Sequence, residues 1–342
     1  MRAAVLDAFG ADVRIAEVDE PKPDDGQVRV DVTACGVGLT LERARTGALG
    51  GSAPRIVGHE LAGTVAEVGG GVERWQPGDR VTASFYLTCG SCHWCVSGRE
   101  TLCENWGGFV GVHVDGGLAD AVVLPERSLV RIPDGVGFDE AAIAADAIAT
   151  PYHAFATRAP ISPGQTVAVI GAGGGVGVHV VGMARAFGAR VVGIERDPAK
   201  ERALRDRGCN AIWNPGDEAD WSRTFLREVG GKVDVCVDTV AARATLRNGQ
   251  EIVGRGGTLL VVGFQGGVTF ELDPRSLVLD EVVITGSRYA SRAEIGQALE
   301  LVAQRRVEAV IGARFDLADV AEAYRVMQSN GAFGRIVVDV SR

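Results

Sequence analysis

The sequence predicts an α/β protein in two parts, one rich in β-strands and one built as a doubly wound parallel sheet. Three observations predict it. The first third reads as short strands broken by turns, as in residues 27–35 (QVRVDVTAC), where apolar and polar residues alternate. After about Gly135 the rhythm becomes apolar strand, glycine turn, helix, strand, which is the pattern of βαβ units. Within that second rhythm a glycine-rich run, GAGGGVG, stands between a continuous apolar strand and a helix.

The elements follow in order. After residues 27–35, LAGTVAEVG (61–69) alternates in part, and GDRVTA (78–83) follows a Pro-Gly turn. The strands are then interrupted by CGSCHWCVSGRETLC, which places Cys89, Cys92, Cys95 and Cys103 at C-x2-C-x2-C-x7-C. Four thiolates at this spacing close a tetrahedral shell around Zn²⁺ and leave no position for water, so one structural zinc per chain is expected, with no chemistry at it. Gly90, Ser91, Ser97 and Gly98 let the loop wrap the ion. In the second part TVAVI (166–170) is a buried strand, and residues 176–188 have helical apolar spacing and a glycine stop. RVVGI (190–194), VDVCV (233–237), GTLLVVG (257–263) and EVVIT (281–285) continue the strands. Ser291 and Glu294 form a capping box that opens a helix, a second helix lies near residues 317–328, and RIVVDV (335–340) is the last strand.

The glycine run is the second chemical signal. Gly171, Gly173, Gly174, Gly175, Val176 and Gly177 sit where a backbone must turn tightly and approach a pyrophosphate, at the N–H-rich start of a helix. Glu195 ends the next strand, where a carboxylate accepts hydrogen bonds from the ribose hydroxyls of NAD. Arg196 beside it offers a partner for the 2′-phosphate of NADP, but the acid favours NAD.

The totals bound the rest. A chain of 342 residues suggests two domains, and 46% hydrophobic with 23% charged residues is an ordinary globular composition. A net charge of −9 argues against nucleic acid or an anionic membrane as partner. The N-terminal stretch has no apolar signal-peptide core, and no run of about 18 apolar residues predicts a membrane span. Seven cysteines leave Cys35, Cys209 and Cys236 beyond the zinc set, which suits reduced thiols in the cytoplasm.

Taken together, GHELAGTVAEVG (58–69), WQPGDRV (75–81), the cysteine lobe (86–106), DGGLAD (115–120), GAGGGVG and GRIVVDV (334–340) give a chain that resembles the zinc-containing alcohol dehydrogenases of the medium-chain dehydrogenase/reductase superfamily over essentially its whole length. The resemblance implies a GroES-like β-rich catalytic domain from both chain ends (1–149 and 288–342) and a Rossmann cofactor domain (150–287) between them. It implies that Arg335 meets the cofactor pyrophosphate, that Val262, Gly263 and Phe264 line the nicotinamide, and that Thr150 lies near it. It also implies a small-molecule alcohol or carbonyl substrate and a homodimer or homotetramer joined through a strand like EVVITGS.

The resemblance further implies a catalytic zinc on a cysteine in a segment like A-C-G-V-C-H-T-D, a His-Glu pair and a later Cys or Asp. His59, Glu60 and Asp146 match. In ACGVGLTL (34–41), however, Gly38 stands at the ligand cysteine, and Leu41 at the acid that orients the ligand histidine. Thr40 keeps the hydroxyl that relays a proton, and Arg43 stands where a relay histidine is usual. Three readings stay open: no active-site metal; a metal on His59, Glu60 and Asp146 with water; or Cys35 reaching in from upstream. Ligand count and the lost acid favour the first. The functions that follow are NAD-dependent interconversion of an alcohol and its aldehyde or ketone with an impaired or absent zinc, zinc-free reduction of an α,β-unsaturated carbonyl compound, or NAD binding without catalysis. Thr40, His59, Glu60 and Asp146 are the expected catalytic set. Tyr86, Trp106 and His113 are candidates to edge the substrate site, and Arg43 to receive an anionic substrate; each also reads as packing or solvated surface.

Overall fold

Residues 1–342 are described by the computed structural model. In chain order the strands are β1 (Arg2–Leu6), β2 (Arg14–Glu17), β3 (Gln27–Val37), β4 (Arg55–Ile56), β5 (Glu60–Val68), β6 (Arg80–Ala83), β7 (Ala121–Pro125), β8 (Leu129–Arg131), β9 (Thr166–Ile170), β10 (Arg190–Ile194), β11 (Ala211–Trp213), β12 (Val233–Asp238), β13 (Val253–Val261), β14 (Val283–Gly286), β15 (Ile311–Asp316) and β16 (Arg335–Asp339). They fall into two units, Met1–Ala149 with Tyr289–Arg342, and Thr150–Arg288. No helix is long and apolar enough to cross a membrane.

In the first unit β3 is the spine. Val28, Val30 and Val32 are buried while Arg29 and Asp31 face outward, the period-two pattern of a half-buried strand. From Ala34 to Gly38 the alternation stops and every residue is buried, as in a strand covered on both faces. One edge of β3 pairs with β5. The other edge pairs with β7 over residues 27–31 and with β16 over 34–37. Gly36 therefore lies opposite Glu60 on one side and Val337 on the other. This register starts β5 at Glu60 and β16 at Arg335, flanking the same stretch of β3. Leu61, Val81, Leu118, Leu124 and Val338 are the core on which this sheet closes.

In the second unit the sheet order is β11-β10-β9-β12-β13-β14, all parallel. The chain steps outward from β9 to β10 and β11, then returns to β12 on the other side of β9. That reversal is the topological switch point, where open α/β sheets bind ligands at the strand C-termini. The glycine run follows β9 there, and the helix Gly177–Ala186 follows the run and ends before Gly188, whose φ is +88°. β13 starts four residues before the predicted GTLLVVG, because Val253 already pairs with Val233 before a register shift. It ends at Val261, which leaves Val262 to Phe264 as a loop.

The predicted capping box is present: Ser291 accepts from Glu294 N–H and opens the helix Arg292–Ala303. Arg292 then reaches Glu100 inside the cysteine lobe, with Nη2 at 2.7 Å and Nε at 3.1 Å from Oε1, while its own N–H donates to Oε2 at 3.0 Å. One carboxylate thus ties the lobe to a helix 192 residues away in sequence. Arg292→Ala is expected to lose about 1.5–3 kcal/mol, the range for hydrogen bonds to a charged group. Urea denaturation checks it, and an unchanged midpoint and slope would show that the tie is idle.

Candidate active site and metal centres

The four lobe cysteines converge. Sγ separations are 3.6 Å for Cys92–Cys95 and 3.9 Å for both Cys89–Cys95 and Cys92–Cys103, and all four sulfurs lie within 4.8 Å of one another. A tetrahedron with Zn–S bonds of about 2.3 Å has edges of about 3.8 Å. The sulfur set fits zinc, and no disulfide competes for it. Backbone N–H groups of Ser91 and Cys92 point at the Cys89 sulfur and hold its thiol down, to about 6. A thiolate is thus ready for a cation at neutral pH.

The second cluster is His59, Glu60 and Asp146, all buried. Glu60 comes from the start of β5. Asp146 comes from the π-wound segment Ala144–Ile148, the kind of widened turn that recurs at functional sites. Between them lies Arg335. Its Nε donates to Glu60 Oε2 at 3.0 Å, Nη2 donates to Glu60 Oε1, and Nη2 also reaches Asp146 Oδ2 at 3.2 Å. The resemblance sets Arg335 against a pyrophosphate; the register of β16 against β3 delivers its guanidinium, within a residue only 5% exposed, to two carboxylates. Burial pushes the Glu60 carboxyl up, against the pull of Arg335. Burial also works against the arginine charge, but Glu60 and Asp146 outweigh it, and the guanidinium stays above its ordinary value.

His59 completes the picture. Its Nε2 lies 3.3 Å from Asp146 Oδ2 and 3.6 Å from Glu60 Oε1, whereas Nδ1 is buried with no hydrogen-bond partner. With only acceptors at Nε2, the network assigns the proton there. A histidine binding metal through Nε2 needs the opposite tautomer, with Nδ1–H held by an acceptor. Leu41, fully buried, supplies none. The residues therefore do not fit a catalytic zinc: three donors face one another and a resident cation. Cys35 does not enter the set either. Its strand is fixed on both edges, at Leu61 and Val338, and its Sγ bonds the Gly36 carbonyl at 3.8 Å.

Around this cluster the His59 ring meets Phe85 edge-on, with centroids 4.8 Å apart; Phe85 meets Tyr289 at 4.7 Å, and Tyr86 stacks on Trp106 at 5.2 Å. Phe85 and Tyr289 carry no motif in the sequence, and only the packing of Phe85 on His59 and of Tyr289 on Phe85 reveals them. His113 accepts the Phe109 N–H at 3.2 Å, a loop-building role. Thr40 is half-buried on the short helix Leu39–Arg45. Arg43, on the same helix, is half-buried in the field of Tyr289 and Asp146.

In the second unit the glycine run is a cradle. Gly173 N–H donates to Glu195 Oε2 at 2.8 Å, and a Cβ at Gly173 would meet Lys200 Cδ at 2.7 Å and that same oxygen at 2.9 Å. A Cβ at Gly171, where φ is +75°, would meet Thr239 Oγ1 at 2.7 Å, and one at Gly177 would meet the Gly171 carbonyl. The surrounding chain thus leaves no room for side chains at these points of the run, and a side-chain-free loop that opens a helix fits the pyrophosphate of a dinucleotide. The N–H groups of Arg196 and Asp197 fix the other Glu195 oxygen at 2.9 and 3.1 Å, while the Arg196 guanidinium turns to Asp217 at 3.1 Å on the surface. Lys200, buried beside Glu195, is the residue the sequence reading missed; its place five residues after the acid was the available signal.

Two family models match: the alcohol dehydrogenase GroES-like domain over residues 24–134 and the zinc-binding dehydrogenase over residues 175–304. An alcohol dehydrogenase of Geobacillus stearothermophilus is 33% identical over 99% of this chain and 100% of its own length. An acryloyl-coenzyme A reductase of Metallosphaera sedula is 28% identical over 99% of both. The crystal structure of AibC superposes with a TM-score of 0.92 at 34% identity, covering 99% of this chain and 95% of that one.

Protein prepared in excess zinc and then desalted is expected to carry about one zinc per chain, the closed four-sulfur site. Cys103→Ser is expected to carry none and to melt lower. Elemental analysis decides, and a full zinc complement in Cys103→Ser would refute the assignment.

Proposed function

The chain belongs to the zinc-containing alcohol dehydrogenases of the medium-chain dehydrogenase/reductase superfamily and is an oxidoreductase; from that premise we propose that it reduces the conjugated double bond of an α,β-unsaturated carbonyl compound with NADH, without a catalytic metal. The observation that carries this reading is Arg335 lodged among Glu60, Asp146 and His59. Interconverting an alcohol and its carbonyl compound concentrates charge on a single oxygen, which a Lewis acid or a well-placed proton donor has to stabilise. A conjugated acceptor needs less: hydride enters at the β-carbon, the π electrons move onto the carbonyl oxygen as an enolate, and a proton from water completes the α-carbon. Hydrogen bonds or a nearby positive charge suffice for that delocalised oxyanion. The name of the Metallosphaera sedula relative, an acryloyl-coenzyme A reductase, supports this class of substrate.

Within this reading Gly171, Gly173, Gly174, Gly175, Val176 and Gly177 hold the pyrophosphate. Glu195 takes the ribose hydroxyls, and Thr150, Val262, Gly263 and Phe264 line the nicotinamide. The dinucleotide supplies the hydride. Arg43 faces the substrate as a cation for its carbonyl or an attached anionic group. Thr40, with its hydroxyl, and the alcohol dehydrogenases among the relatives favour a second reading, interconversion of an alcohol with its aldehyde or ketone. A homodimer or homotetramer joined through β14 is supported by that strand's place at the sheet edge, with Val283 half exposed and the apolar Val278 and Leu279 exposed nearby. Seven reduced cysteines suit the cytoplasm.

An enone or enoyl thioester incubated with NADH is expected to give the saturated carbonyl compound; mass spectrometry giving only the allylic alcohol would overturn the first reading in favour of the second. NADH is expected to show a KM at least about tenfold below that of NADPH, worth about 1.4 kcal/mol. Glu195→Ala should erase most of that gap, whereas an unaltered ratio would remove Glu195 from the ribose site.

A further inference from the structure

We infer that Arg335 is the resident cation of the Glu60–Asp146 site, taking the charge role of a metal ion, and that Gly38 is the residue that admits it. The argument starts from the backbone of Gly38, whose φ of −143° and ψ of 173° are extended values that any residue adopts. Nothing in the main chain calls for glycine. Side-chain space does: a Cβ at position 38 would lie 2.6 Å from Arg335 Nη2 and closer still to Cζ and Nη1. Gly36, two residues earlier, is equally constrained, since a Cβ there would meet the Glu60 carboxylate. The end of β3 is thus stripped of side chains where the Glu60–Arg335 pair lies against it.

A guanidinium at this spot is held, not parked. Three hydrogen bonds run to two buried carboxylates, so the tip cannot retreat from a new methyl group without leaving buried charge unpaired. The same bonds put the guanidinium against Glu60 Oε1, Glu60 Oε2 and Asp146 Oδ2, where a divalent ion on these carboxylates would stand, and His59 presents a proton from Nε2 rather than a lone pair. Arginine and metal are therefore alternatives for one place. This inference stands whichever bond the enzyme reduces.

Three measurements on the full chain test it. Gly38→Ala, made in the otherwise unchanged protein, is expected to lower Tm by several degrees, as overpacking does in a chain of this size. In an Arg335→Gln background the same substitution should cost little. Arg335→Gln alone should bind a second Zn²⁺, raising the count from about one to about two per chain and raising Tm when zinc is added, while the parent stays at one. A Tm unmoved by Gly38→Ala would overturn the inference, and so would two zinc ions in the parent protein. If Arg335→Gln does not fold even with zinc present, the alanine substitution and the parent's metal count still decide.

Discussion

A guanidinium cannot be deprotonated to escape burial, so a buried arginine has to be given anions. Arg335 is the extreme case in this chain, and the local architecture follows from it. Glu60 and Asp146 come from different elements, the first from β5 and the second from a π-wound turn, and the arginine starts β16. Removing one partner of such a buried pair typically costs about 3–5 kcal/mol, because the other charge is left unanswered. Register, π-turn and missing side chains on β3 together keep that from happening.

The molecule uses two solutions to one electrostatic problem. In the cysteine lobe four sulfurs stand at the edge lengths of a tetrahedron, and an external cation is the natural answer. In the buried cluster the donors are oxygen and nitrogen, one short of a full set, and the cation is part of the polypeptide. The lobe closes a loop and anchors a helix through Glu100 and Arg292. The buried cluster leaves Glu60 with a raised proton affinity beside a fixed positive charge. The first centre ties down a loop, and the second fixes a positive charge between two buried carboxylates.

The sequence reveals features whose parts lie close together in the chain. C-x2-C-x2-C-x7-C predicts the sulfur cluster because a short loop leaves few other arrangements. The glycine run and Glu195 are readable because a strand, a turn and a helix in succession fix their geometry. The departure from the resemblance's metal pattern is legible at Gly38 and Leu41. The arginine among the carboxylates is not, since Arg335 lies 275 residues from Glu60 and meets it only through the pairing of β3 with β5 and β16. The carboxylate contacts of Arg335 lie beyond the resemblance for the same reason, because motif position says nothing about which way a long side chain turns. Phe85 and Tyr289 are invisible for a simpler reason, being aromatic residues with no pattern of their own.

Gly38 also separates what the main chain dictates from what the side chains dictate. Its backbone is already in the conformation that a cysteine, serine or alanine would adopt. No strand has to shift and no turn has to be rebuilt for a side chain to stand there; the Arg335 tip is what would have to move. The backbone therefore leaves open what occupies this corner, and the choice rests on the side chains at positions 38, 41 and 335.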